Sequence, residues 1–396
     1  TTGNDNHGVE ITGGGSVRSQ SGSIQITGSR VANSATGSGI YLGSSGAVAS
    51  GGNAFVTLTT DSLGMESTST LSAVTGTVNV ENRTAGTLLD VGGTSADVAT
   101  ATLKLGISSA ELGLINASHL VIGRNDSLGS GLLTVAGALN VGALGNTSGN
   151  LTLVSGGDLL LAQNQSITKS AGSDATLTMR ANGDINLWNG SSISSTSNKL
   201  NVVLNSDADA NGAGAVRLIL SSITSNGGNI TMGGGVNATG YASGSSTLAN
   251  GIWFNGSNLI SGGGNIVLKG RSSAGTNNDG GASAGIWFRD EAATIDINAG
   301  SGTITMDGVS QSTNTNSNVH AHGVMIGGFS TRTTIQSSST ATNAIDLKGL
   351  GSASSPNASG IWINSTASVL STGTGGISLD GTDRSVTGAG ETAGVF

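Results

Sequence analysis

The sequence predicts an all-β fold: a right-handed parallel β-helix with three short strands per turn, about a dozen turns, and one variable corner that takes loop insertions. Three observations predict it. Short apolar phrases rotate in a fixed order along most of the chain. The spacing is nearly constant across one corner and expandable across another. Glycine, serine, threonine and asparagine fill the intervals. The chain has 396 residues, with 67 Gly, one Pro and no Cys, and only 10% charged and 3% aromatic residues. Without a period such a composition reads as disorder, so the period decides.

The first phrase is an alternating triplet, as in Ile24-Gln25-Ile26, Leu151-Thr152-Leu153, Leu177-Thr178-Met179, Val202-Val203-Leu204 and Ile230-Thr231-Met232. It continues as Ile266-Val267-Leu268, Ile304-Thr305-Met306, Ile345-Asp346-Leu347 and Ile377-Ser378-Leu379. Alternation over three residues makes a strand with one inward face. The second phrase is Gly251-Ile252-Trp253-Phe254, recurring at Gly285-Ile286-Trp287-Phe288 and Gly360-Ile361-Trp362-Ile363. Related forms are Gly8-Val9-Glu10-Ile11, Gly39-Ile40-Tyr41-Leu42, Gly323-Val324-Met325-Ile326 and the leaner Asp184-Ile185-Asn186-Leu187. The third is a single apolar spot: Val17, Val48, Ile167, Ile193, Ile223, Ile260, Ile295, Ile335 and Val369.

From second to third phrase the step is 8 at Val9 to Val17, Ile40 to Val48, Ile185 to Ile193, Ile252 to Ile260 and Ile361 to Val369. The step from first to second phrase runs from 8 (Leu177 to Ile185) to 22 (Ile230 to Ile252), so this corner takes the insertions. No helix pattern competes. Stacking at about 4.8 Å pairs backbone groups that would otherwise lack partners. Residues 1–396 are expected as one β-helix domain, a fragment of a longer protein. Turns are decorated over 1–50, irregularly phased over 51–150, lean over 151–232, and decorated with long loops over 233–396. In 51–150 the pairs Val78/Val80, Leu103/Leu105, Leu133/Val135 and Leu139/Val141 look like strands that do not join one series.

A net charge of −8 argues against a nucleic-acid surface, which needs a basic stripe. No apolar run approaches the roughly 18 residues of a membrane span, and no signal peptide is expected within these residues. Absence of cysteine fits the cytosol or a bacterial secreted protein without disulfides.

The stretches GSGLLTVAGALNVGALGNTSGNLTLVSGGDLLL (129–161) and GNIVLKG (264–270) followed by the Gly-Ile-Trp-Phe phrase resemble the shaft repeats of filamentous haemagglutinin-like adhesins, exoproteins of two-partner secretion. The resemblance covers most of the chain. It implies a right-handed β-helix, bacterial secretion to the extracellular cell surface, an outer-membrane transporter partner, and roles in cell adhesion, biofilm or contact-dependent killing. The Asn-Pro signatures of that family's secretion domain are absent, since the one proline lies in Ser355-Pro356-Asn357, so the chain resembles shaft and not the secretion domain.

In the second phrase Ile252 and Phe254 form the inward pair, which turns Trp253 outward. The outward column then reads Glu10, Tyr41, Trp253, Trp287, Met325, Trp362. Two readings follow. Aromatics accompany the long corners, as expected if each corner folds back over the strand and buries the ring. Alternatively Tyr41, Trp253, Trp287, Met325 and Trp362 form an exposed strip that binds carbohydrate, a host-cell or matrix glycan or an exopolysaccharide.

Other candidates are weaker. Asp207-Ala208-Asp209-Ala210-Asn211-Gly212 opens like a calcium loop, but its twelfth position is Leu218 where a bidentate Glu is needed. His320-Ala321-His322 has no carboxylate or Cys pattern to complete a metal site, and reads as solvated loop histidines. Acidic groups are scattered by turn (Asp184, Asp207, Asp209, Asp296, Asp380, Asp383), and Arg289-Asp290-Glu291 reads as a local ion pair. Roughly a dozen Asn-x-Ser/Thr triplets occur, Asn82, Asn116, Asn189, Asn255 and Asn364 among them. The outward residues of the first phrase are too mixed for the flat threonine array of an ice-binding solenoid. No cofactor, metal or catalytic residue is expected. The expected function is a structural and binding one, the shaft of a secreted adhesin or biofilm-matrix protein. A carbohydrate-active β-helix, whether lyase, hydrolase or tailspike-like, is the alternative.

Overall fold

Alternating short strands separated by glycine and asparagine corners leave each strand one apolar face and two unpaired backbone edges. In the computed structural model both demands are met by stacking: nearly all strands pair in parallel with the equivalent strand one coil away. The described residues are 6–30, 37–93, 98–99, 103–143, 149–327, 331–364, 366–385 and 393–395. The fold is a parallel β-helix with three strands to a coil. By density of internal contacts the chain falls into two units, Thr1–Met179 with Thr196–Asn198, and Arg180–Ser195 with Lys199–Phe396.

In the second unit all three sides are regular. On side one, Val202, Ile230, Ile266, Ile304, Ile345 and Ile377 stack in register, as do Leu204, Met232, Leu268, Met306, Leu347 and Leu379. On side two the inward columns are Ile185, Val216, Ile252, Ile286, Val324, Ile361 and Leu187, Leu218, Phe254, Phe288, Ile326, Ile363. Phe254 and Phe288 stack at 4.7 Å with ring planes 11° apart. Side three contributes Ile193, Ile223, Leu259, Ile297, Ile335 and Val369.

Side three corrects two assignments: its column passes through Leu259 in place of the expected Ile260 and through Ile297 in place of Ile295, although Ile295 is also buried. Leu259 is fully buried and Ile260 is 37% exposed. In Asn258-Leu259-Ile260 two apolar residues are adjacent, so alternation alone leaves the inward parity open. The register Leu259 to Ile297 closes it.

Corners are held by repeated polar devices. Asn201 Oδ1 accepts from Asn229 N, Asn229 Oδ1 from Asn265 N, and Asn265 Oδ1 from Thr303 N, at 2.8–2.9 Å. Ser225 and Ser261 hydroxyls donate to the Gly228 and Gly264 carbonyls of their own corners. Glycine is required at that corner. A Cβ on Gly264 would lie 2.0 Å from the Gly228 carbonyl, and one on Gly302 would lie 2.0 Å from that of Gly264.

The first unit phases the stretch that alternation alone does not. Ile24, Val56, Val78, Leu120 and Leu151 form one inward column, and Ile26, Leu58, Val80, Ile122 and Leu153 the next. The long strand Thr70–Glu81 pairs with Ala47–Ser50 on side three and with Phe55–Thr59 on side one. Strand Ile115–Gly123 follows it through a register shift between Ala117 and His119. Two sides therefore run together as one strand with Gly76 alone at the join, which hides the period. Leu103–Ser108 also steps backward, pairing with Leu88–Gly92 on the edge away from Leu133–Val135. It leads into a four-residue helix, Ser109–Leu112, with Ser108 and Glu111 closing a capping box. The expectation of no helix fails here and at the 3-10 turn Val141–Ala143, and the Ser-x-x-Glu signature of the first stands in the sequence. Lys169 is fully buried and donates to the carbonyls of Ala171, Gly172 and Ser197, joining two corners.

The corrected parity gives a direct expectation. Leu259→Ala should lower unfolding free energy by about 2–5 kcal/mol, whereas Ile260→Ala should stay within about 0.5 kcal/mol. Urea denaturation of the two variants checks this. Equal effects would contradict the register.

Candidate functional site: a loop-covered aromatic column

Parallel pairing on side two places the outward residues Asn186, Arg217, Trp253, Trp287, Met325 and Trp362 one above another. The Trp253 and Trp287 rings stack at 5.8 Å and 14°. Two arginines interleave with the indoles. The Arg217 guanidinium lies 4.8 Å from the Trp188 ring and 5.0 Å from Trp253. The Arg289 guanidinium lies 5.9 Å from Trp253 and 5.3 Å from Trp287. The sequence Trp188, Arg217, Trp253, Arg289, Trp287 alternates cations and π faces, an attraction of roughly 0.5–2 kcal/mol per contact.

The column faces outward from the coil yet is shielded from solvent. Trp253 and Trp362 are each 7% exposed, Trp287 1% and Met325 2%. The cover consists of the segments between sides one and two, with Ala282 and Ala284 packed directly into the aromatic cluster. Residues 272–285 return on themselves through reciprocal hydrogen bonds between Asp279 and Ala282. Gly280 lets that turn lie flat: an added Cβ would meet the Arg289 guanidinium at 2.4 Å and the Trp287 ring at 3.3 Å. Successive loops then stack on each other. Ser283 N donates to His320 O, Ala321 N to Asn357 O, and Gly323 N to Ser359 O, at 2.8–3.1 Å. Asn250 Oδ1 accepts from Ala284 N at 2.7 Å. The insertions thus extend the coil pattern outward as an extra layer.

Buried charge accompanies the cover. Burial raises the Asp279 carboxyl while Arg217 and Arg289 oppose the shift. Burial lowers Arg217, with Asp279 and Asp184 opposing. Arg289 pairs with Glu291 at 2.5 Å. Asp290 is fully buried, and its carboxylate accepts from the Thr366 hydroxyl at 2.9 Å. The charged triplet is therefore a clamp between coils as well as an ion pair.

The histidines need correction. They are not solvated: His322 is fully buried and His320 partly so. His322 stacks on Trp362 at 5.4 Å and 4°, and His320 lies 5.5 Å from the same ring. Small residues around Ala321 and loop 351–360 closing above them exclude water, which Ala-His alternation could not reveal. Burial, then the neighbouring His320, pushes the His322 imidazole down to about 3.

The five expected strip residues divide between the two units. Trp253, Trp287, Met325 and Trp362 share the covered column. Tyr41 belongs to the first unit, where it stacks on His7 at 4.1 Å and donates to Glu66. Its pocket is shallow, lined by His7, Glu10, Thr12 and Ser38. Trp188, Arg217, Arg289 and Asp279 belong to the column as well. Arg217 was hidden because Ala215-Val216-Arg217-Leu218 lacks the glycine and aromatic of the second phrase, although Val216 and Leu218 keep its alternation. Asp207 Oδ1 accepts from Gly212 N at 2.9 Å and Asp209 binds Asn211, an Asx-rich corner. Asn82, one of the Asn-x-Thr positions, is fully buried, with its amide on the carbonyls of Thr84 and Leu128. Among the described residues no group of three or more His, Cys, Asp or Glu is arranged to hold a metal.

In comparisons with known proteins, no family model, curated protein or solved structure matches the chain.

Chemically the column is an adhesive surface turned to its own loops. Truncating Trp287 to Ala should cost about 3–5 kcal/mol and raise proteolysis within 272–285. Trp188 is 37% exposed, so Trp188→Ala should cost under about 1.5 kcal/mol. Denaturation curves and timed protease digestion of both variants test the difference.

Proposed function

We propose that this chain is a shaft segment of a secreted bacterial surface adhesin of the filamentous haemagglutinin-like kind, a rod that projects or links. The observation that carries the reading is the covered aromatic column. Its large apolar and cationic side chains are engaged with the next coil or with the loop above, which suits an element that must resist being opened. Interior columns in register and the asparagine ladder support the same reading, since each ties one coil to its neighbour, and the Asp290 clamp reaches Thr366 two coils on. Export to the cell surface through an outer-membrane transporter belongs to this proposal and rests on the sequence resemblance. Glycan or exopolysaccharide contact is a role for accessible groups such as Trp188, since stacking sugars on Trp253, Trp287 or Trp362 requires the loops to lift.

Single-molecule stretching tests the shaft. A stack of clamped coils should lengthen in steps of one decorated coil, roughly 34–38 residues, the spacing of Ile252, Ile286, Val324 and Ile361. A polysaccharide panel read for reducing ends or unsaturated products is the companion assay. Turnover that scales with protein, or unfolding in one unclamped event at low force, would overturn the shaft reading in favour of a carbohydrate-active β-helix.

A further inference from the structure

We propose that His320 and His322 form a proton-operated latch on the loops covering the aromatic column, holding residues 310–323 and 351–360 together while both rings are neutral and releasing them on acidification. The donors dictate the protonation state. Ser359 N donates to His322 Nδ1 at 2.8 Å, and a backbone N–H can only donate, so Nδ1 carries no proton. The neutral ring then has its proton on Nε2, which lies 3.3 Å from His320 Nδ1. His320 Nδ1 is therefore an acceptor, and the Asn357 amide nitrogen also approaches it, at 3.1 Å. Each ring's second proton would point at an existing donor: His322 at the Ser359 amide, His320 at His322 Nε2. His322 cannot charge without breaking its bond to Ser359 N, the backbone link between the two loops.

No anion on the two loops faces His322 to favour its charged form. Loop 351–360 presents Asn357 and Ser359, and side two presents Trp362, none of which titrates in the acid range. Loop 272–285, whose Gly281 carbonyl accepts from His320 N, carries Asp279, but that carboxylate faces Arg217 and Arg289. Arg384 donates to the carbonyls of Gly351 and Ser310 at the feet of the two loops, adding positive charge that opposes more.

The sign follows from linkage. The closed-state pKa of His322 lies well below the ordinary value of 6.5, at about 3. Closure is therefore fully favoured above 6.5 and is lost progressively as pH falls toward 3, at about tenfold in the opening equilibrium per pH unit.

Hydrogen exchange of the full chain between pH 7.5 and 4, corrected for the intrinsic pH dependence of exchange, tests the latch. Opening of 310–323 and 351–362 should rise about tenfold per unit below pH 6.5, while the core strand Asn343–Leu350 stays unchanged. His322→Asn keeps an acceptor for Ser359 N and a donor toward His320, and should flatten the profile. If that variant does not fold, ring nitrogen NMR of the unmodified protein decides. His322 should remain neutral with its proton on Nε2 at pH 5. A flat profile in the unmodified chain, an unchanged slope in a folded His322→Asn variant, or a His322 ring that titrates near 6.5 with the loops closed would each overturn the latch.

Discussion

In-register parallel stacking is the constraint on which everything else depends. When each strand pairs with its equivalent about 4.8 Å away, a side chain's nearest outward neighbour is the same position of the next coil. Like must then tolerate like. Isoleucine on isoleucine and asparagine on asparagine satisfy this, because one buries shape against shape and the other passes a hydrogen bond along the stack. Charge does not. The outward positions Lys269, Asp307, Lys348 and Asp380 of side one alternate in sign through four coils in register. On side two the cations are separated by indoles, with Arg217 facing Trp253 across one rung and Arg289 facing Asn255 across the next.

The same constraint explains the tryptophans. A stack of indoles on the outside of a coil presents more apolar surface than an exposed face should carry. The insertion at the corner before each such strand supplies the cover, and small residues such as Ala282 and Ala284 let it approach. Covering leaves its own problem, since the Trp253 and Trp362 indole N–H groups are buried without a protein acceptor. Such groups cost about 1–3 kcal/mol each, a cost that burial of the ring surface offsets. The histidine pair packs on the Trp362 ring.

Sequence made the coil legible wherever a strand's parity was unambiguous. Ile-x-Leu and Ile-x-Met triplets with polar centres admit one inward face, and the structure keeps the register of those described in the second unit, with burial lost only at Ile377 and Leu379 of the last one. Asn258-Leu259-Ile260 admits two, and only pairing with Ile297 chooses. The 51–150 stretch failed for a different reason: Thr70–Glu81 carries two sides of a coil as one continuous strand, and the single Gly76 at the join does not stand out as a corner. The column was half legible. Long corners travelling with aromatics implied cover, but burial of His322, the arginine interleaving and the fit of Gly280 depend on where a loop lands, which no local pattern encodes.

Because the chain has no cysteine, paired cysteines report register cleanly, and this is the most direct measurement of the account's centre. Thr231 and Val267 are outward partners on adjacent coils, and Val267 is likewise opposite Thr305. Under mild oxidation the pair Thr231→Cys with Val267→Cys should close a disulfide in the folded chain, since strand partners fall within the reach of one. Thr231→Cys with Thr305→Cys, two coils apart, should not. Efficient closure of the second pair with failure of the first would contradict in-register stacking and the column built on it.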